Sequence, residues 1–114
     1  ALTLNHGQQA HVVQNLFKKN QMGLILDHIL AVRADSNLII ANQNGSDLRS
    51  IADLRLTGNR WQGNGSASYF ASIGSFYSKT DQWDHNQGHA VEILSAQAAV
   101  FENDRWIANQ NGGL

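Results

Sequence analysis

The sequence predicts an all-β domain, a sandwich, barrel or prism, on three observations. The first is internal repetition. Ile40-Ala41-Asn42-Gln43-Asn44-Gly45 returns letter for letter as Ile107-Ala108-Asn109-Gln110-Asn111-Gly112. A large apolar residue with Asn three positions later occurs at Phe17/Asn20, Ile39/Asn42, Trp61/Asn64, Trp83/Asn86 and Trp106/Asn109, at spacings of 22, 22, 22 and 23 residues. The second is punctuation by Asn44-Gly45, Gly58-Asn59, Asn64-Gly65 and Asn111-Gly112. These residues accept the positive φ of tight hairpin turns. The third is a set of short apolar runs with partial alternation, separated by turn signals about every ten residues. The repeating unit reads as strand, turn, strand.

Taken in order, residues 11–19 show partial 3.6-residue periodicity, and helix and strand both stay open there. Residues 28–33 and 38–41 read as strands. Residues 47–56 have a helical period and a possible Asp or Ser cap, but the repeat context favours strand. Strands follow at 54–56, 68–77, 90–94 and 98–101. No linker, charge run or low-complexity tract divides the chain, so residues 1–114 read as a single domain.

Composition excludes several function classes. The chain has no cysteine, hence no disulfide framework, thiolate metal site or cysteine nucleophile. A net charge of −1 gives no electrostatic footprint for nucleic acid or an anionic membrane. The longest apolar stretch, near residues 24–29, is interrupted by Asp27 and His28 and is too short for a membrane span. Ala1-Leu2-Thr3 does not read as a signal peptide, though it fits a mature end left after cleavage. An extracellular, secreted setting is the expectation; the absence of cysteine fits a cytoplasmic one equally. Asn and Gln number 22, against 17 charged residues.

Nothing in the spacing selects a catalytic site, and the chain reads as a non-enzyme that needs no cofactor. His85 and His89 stand four apart, but Asn86, Gln87 and Gly88 between them read as a turn, so no metal site is expected. Sugar binding fits better. Sugar hydroxyls both donate and accept, and suit short side chains such as Asp and Asn. With a strand period of two, Arg33, Asp35, Asn37, Ile39 and Ala41 share one face, with the polar groups about 7 Å apart.

At this segment the sequence resembles the monocot mannose-binding, or bulb-type, lectin family, whose units carry Gln-x-Asp-x-Asn-x-Val-x-Tyr. Here that motif reads Arg33-x-Asp35-x-Asn37-x-Ile39-x-Ala41. Residues 91–101 with Asp104-Arg105-Trp106 are similar to the family's third unit. Residues 68–77 ending at Trp83 are similar to its middle unit, and residues 4–9 to its opening segment. The resemblance implies a β-prism II of three antiparallel four-stranded sheets about a pseudo-threefold axis, with Trp61, Trp83 and Trp106 packed inward. A β-trefoil is the alternative fold.

The departures resemble degenerate, bacterial-type members, including domains of lectin-like bacteriocins. Arg33 replaces Gln and Ala41 replaces Tyr. Ser72-Ile73-Gly74 and Ser95-Ala96-Gln97 stand where the other two motifs would fall, and the family's cysteine pair is missing. The resemblance therefore implies non-catalytic recognition of a mannose-type glycan or glycoprotein at one partly kept site, Arg33, Asp35, Asn37, Ile39 and Ala41. It also implies a homodimer or heteromer formed through the C-terminal strand, residues 106–114. The alternative is an interaction or toxin-type module that keeps the fold and has lost the sugar.

Overall fold

The computed structural model describes residues 1–110. The end of the repeated hexapeptide, Asn111-Gly112, and the end of the 106–114 tail lie outside the described residues. The elements are β1 (Leu2–Val13), β2 (Leu16–Lys18), β3 (Met22–Asp35), β4 (Leu38–Ile40), β5 (Asn44–Thr57), β6 (Arg60–Gln62), β7 (Ser66–Lys79), β8 (Gln82–Asp84), β9 (Val91–Ile93), β10 (Ala96–Glu102) and β11 (Arg105–Ile107). Residues 47–56 are strand, as the repeat context required. Residues 11–19, open between helix and strand, hold the end of β1 and all of β2. Among the described residues no helix is long and apolar enough to cross a membrane.

Every strand pairing is parallel. The long strands form one sheet in the order β1-β3-β5-β7-β10, with β9 also on β7, and the short strands a second in the order β11-β8-β6-β4-β2. The chain is therefore a parallel β-solenoid. This corrects the expected fold, which is neither an antiparallel β-prism II nor a β-trefoil. Each 22-residue unit is one full coil, stacked on its copy in register: Leu26 pairs with Leu48, Leu48 with Phe70, and Phe70 with Ile93. The Asn-rich turns do not reverse a hairpin. They turn the chain round a corner so that it returns one level on.

Three corners recur, the first in four coils and the other two in all five, and all positive-φ residues described sit at them. The first bends the long strand at His6, His28, Ser50 and Ser72. The second, at Gln14, Ser36, Gly58, Thr80 and Asn103, ends it. The third, at Lys19, Ala41, Gly63, His85 and Ala108, follows the short strand. One left-handed residue redirects a strand sharply without extra loop length.

Two polar ladders hold the corners. The ladder of Asn20, Asn42, Asn64, Asn86 and Asn109 runs beside the third corner. Asn64 Nδ2 donates to the carbonyl of Ile39 at 2.9 Å and to Asn86 Oδ1 at 3.1 Å. Its own Oδ1 accepts from the N–H of Asn42 at 2.9 Å and from Asn42 Nδ2 at 3.1 Å. Asn15, Asn37, Asn59, Asp81 and Asp104 repeat the arrangement beside the second corner. Buried amides are tolerated here because each donor and acceptor has a partner one coil away.

The core lies between the two sheets. Val12, Leu24, Leu26, Ile29, Val32, Leu48, Ile51, Leu54, Phe70, Ile73 and Phe76 fill it from the long strands. Phe17, Ile39, Trp61, Trp83 and Trp106 form one column on the short strands. The indoles of Trp61 and Trp83 stack at 4.9 Å and 8°, and those of Trp83 and Trp106 at 5.4 Å and 8°. Trp61 Nε1 donates to Ser46 Oγ and Trp83 Nε1 to Ser68 Oγ. Such tight stacking excludes bulk at some positions: a Cβ at Gly45 would fall 2.3 Å from the carbonyl oxygen of Ala67. The last coil carries one extra residue, accommodated between Gly88 and Val91, after which Ser68 pairs with Val91.

Candidate functional site

The five residues expected to share a sugar-binding face do not. Arg33 and Asp35 point outward near the end of β3. The positive φ of Ser36 then turns the chain and breaks the period of two. Asn37 is 2% exposed. Its Nδ2 donates to the carbonyl of Val12 at 2.7 Å and to Asn59 Oδ1 at 2.9 Å, and its Oδ1 accepts from the N–H of Asn15 at 3.0 Å. The amide is thus committed to the ladder. Ile39 is in the core column, and Ala41 forms an exposed corner. Trp61 and Trp83 are buried in the stack, away from any ligand.

The outward side of the long strands offers a different arrangement. Residues in register stack into columns with neighbours about 4.8 Å apart. One column is Gln9, Ala31, Asp53 and Ser75; the next is His11, Arg33, Arg55 and Tyr77; the third is Val13, Asp35, Thr57 and Lys79. The small Ala31, between the longer Gln9 and Asp53, leaves a depression. That groove has a volume of about 590 Å³ and is lined by Gln9, Ala10, His11, Ala31, Val32, Arg33, Asp53 and Arg55.

The groove is rich in donors. Arg33 and Arg55 are direct register partners and both are exposed. Arg55 Nε lies 3.7 Å from Asp53 Oδ2. Asp35, the carboxylate nearest Arg33 in sequence, is taken by His11 Nε2 at 2.9 Å. Among the described residues Arg33 forms no ion pair and no side-chain hydrogen bond, so its planar fork is open to a ligand. Gln9 adds an amide donor and acceptor, and Asp53 an acceptor for hydroxyls.

A second hollow of about 330 Å³ lies on the other half of the long strands, between Asn44, Asp47, Arg49, Tyr69, His89 and Glu92. Two of its charges, Arg49 and Asp47, are engaged with each other. Arg49 grips Asp47 through Nε and Nη2 at 2.6 and 2.9 Å, and its guanidinium lies 4.9 Å from the centre of the Tyr69 ring. No cluster of three or more metal-ligating side chains occurs among the described residues.

Fold and face together define a parallel β-solenoid with a shallow, arginine-lined groove. No family model, curated protein or solved structure matches the chain. Sequence reasoning found Arg33 but missed Gln9, His11, Asp53 and Arg55. The signal was the 22-residue period itself, which places 9, 31 and 53, and likewise 11, 33 and 55, side by side.

Proposed function

We propose that the chain is a non-catalytic carbohydrate-binding module that holds an acidic glycan, a uronate- or sulfate-bearing oligosaccharide, in the Arg33–Arg55 groove. The observation that carries this reading is the unpaired Arg33 guanidinium beside Arg55 in a groove that also offers amide and carboxylate groups. The guanidinium forks take the anion; Gln9 and Asp53 take ring hydroxyls. The groove is open, so affinity per site is low, and useful binding comes from several sites on one polymer.

The test is a glycan array of acidic and neutral oligosaccharides, followed by titration calorimetry of the best ligand. An acidic glycan bound with an affinity that falls as salt rises is expected. Arg33→Ala should weaken it about tenfold, the worth of one charged hydrogen bond, without changing the melting temperature. Binding of neutral mannosides alone, or binding indifferent to Arg33→Ala, would remove the groove from the reading.

A further inference from the structure

The groove does not stop at Arg55. A further hollow of about 460 Å³ lies on the same outward face, between Asp53, Arg55, Ser75, Tyr77, Ala98 and Val100. It shares Asp53 and Arg55 with the arginine-lined hollow. Strand register makes the two continuous. Gln9, Ala31 and Asp53 are followed in their column by Ser75 and Ala98, and His11, Arg33 and Arg55 by Tyr77 and Val100. Columns of register partners run along the solenoid axis, across the strands. The steps β1-β3-β5-β7-β10, about 4.8 Å each, make a trough about 19 Å long.

The chemistry changes along this trough. Its first half holds His11, Arg33 and Arg55, whereas beyond Arg55 the lining carries no further cation. Ser75 and Ala98 are small and keep the second half open, and Tyr77 and the exposed Val100 stand beside them. Tyr77 donates its O–H to Glu102 Oε2, one coil on in the adjoining column. Lys79 Nζ lies 4.0 Å from Glu102 Oε1, so the nearest ammonium faces that carboxylate. An anion placed beside Tyr77 would meet the like charge of Glu102. An uncharged sugar ring fits instead. The Tyr77 ring and Val100 offer apolar surface to its C–H groups, and the Ser75 hydroxyl and the phenol oxygen take its hydroxyls.

We propose that Ser75, Tyr77, Ala98 and Val100 form a second subsite, for a neutral sugar unit, so that the ligand lies along the solenoid axis with a charged unit at Arg33–Arg55 and a neutral one next to it. The substrate class is thereby an acidic glycan of alternating charged and neutral units, not a polymer charged at every unit. This inference rests on the glycan reading of the arginine half.

Titration of the isotope-labelled chain, followed by amide chemical shifts, tests it with three probes. Glucuronate alone should shift the amides around His11, Arg33 and Arg55. A tetrasaccharide alternating glucuronate with N-acetylglucosamine should also shift Ser75, Tyr77, Ala98 and Val100, and bind more tightly than tetragalacturonate. Tyr77→Ala should weaken the alternating tetrasaccharide by about tenfold, the upper worth of an aromatic contact, and leave glucuronate unchanged. Val100 is exposed, so Val100→Lys keeps the fold while adding a cation to the second subsite, and should raise the affinity for tetragalacturonate. Suppose acidic probes bind and respond to Arg33→Ala, but no shifts extend past Arg55 and neither Tyr77→Ala nor Val100→Lys changes any affinity. The second subsite is then overturned while the glycan reading stands. Tighter binding of tetragalacturonate than of the alternating probe by the parent would overturn the neutral assignment. No binding of any acidic probe would remove both readings together.

Discussion

Asp81 stands on the ladder rung that Asn15, Asn37 and Asn59 occupy in the coils before it, and its Oδ1 receives both the N–H of Asn59 at 2.7 Å and Asn59 Nδ2 at 2.9 Å. The substitution of carboxylate for amide is matched inside the core. Ser78 replaces the apolar residues Val12, Ala34 and Leu56 of its column and donates to Asp81 Oδ2 at 2.7 Å. Even so, burial outweighs these donors and pushes the Asp81 carboxyl up from 3.8 to about 6.

The sign of the pH effect follows. Between about pH 4 and pH 6 the folded state keeps a proton that the unfolded state has lost. The group's stabilising contribution is complete below that window and is lost as pH rises through it. Asp81→Asn removes the titration and supplies the amide of the other rungs. Urea unfolding at pH 4, 5, 6 and 7.5 should show the variant more stable than the parent at pH 7.5, by about 2 kcal/mol. The difference should shrink towards pH 4. A variant no more stable at pH 7.5 would contradict the assignment.

Asn64 sits mid-ladder with both amide hydrogens and both acceptor positions used. Asn64→Ala strips partners from the buried carbonyl of Ile39 and from the N–H and amide of Asn42. With each such orphaned group costing about 1–3 kcal/mol, the loss should reach about 3 kcal/mol or more. Thermal unfolding measures it, with Asn44→Ala as the control. Asn44 is exposed and lies outside the ladder, so its replacement should shift stability by less than about 0.5 kcal/mol.

How much of this was legible in the sequence can be judged on particular residues. The five apolar anchors and their Asn partners, from Phe17/Asn20 to Trp106/Asn109, are the core column and one ladder, residue for residue. Strand character was legible too. The sense of pairing was not, because Asn-Gly serves a hairpin and a solenoid corner through the same positive φ. What distinguishes them is that whole coils match in register, Ile29 with Ile51 and Ile73, Val32 with Leu54 and Phe76. Antiparallel hairpins do not pair residues at a constant offset. The second ladder, Asn15 to Asp104, has the same period, but its rung Asn37 also fits a lectin motif, which gives that residue a competing reading. The groove is not legible locally, because its members lie 22 residues apart, beyond any local pattern.

The indole N–H groups of the Trp column depend on serines in the long strands. Ser68→Ala leaves Trp83 Nε1, fully buried, without its 2.7 Å acceptor. A loss of about 1–3 kcal/mol is expected in denaturant unfolding followed by tryptophan fluorescence. Ser46→Ala should do the same through Trp61. In the last coil, Val91 occupies the column of Ser46 and Ser68, and Trp106 Nε1 is buried with no partner among the described residues. Val91→Ala should therefore leave the hydrogen bonding of Trp106 unchanged and cost only the apolar contacts it removes.

The third corner tests the strain that stacking imposes on the backbone. Ala41 and Gly63 occupy the same corner one coil apart, at φ of 55° and 63°. A left-handed conformation costs a residue with a Cβ about 1 kcal/mol, while glycine adopts it freely. Glycine also loses more freedom on folding, by about 0.4–1 kcal/mol. Both positions are exposed, so packing hardly enters. Ala41→Gly should accordingly stabilise the fold slightly, by about 0.5 kcal/mol, and Gly63→Ala should destabilise it by a similar amount. Opposite shifts of the urea midpoint in the two variants, with the slope unchanged, are the expected result. Shifts of the same sign would mean that this corner does not hold the left-handed backbone described here.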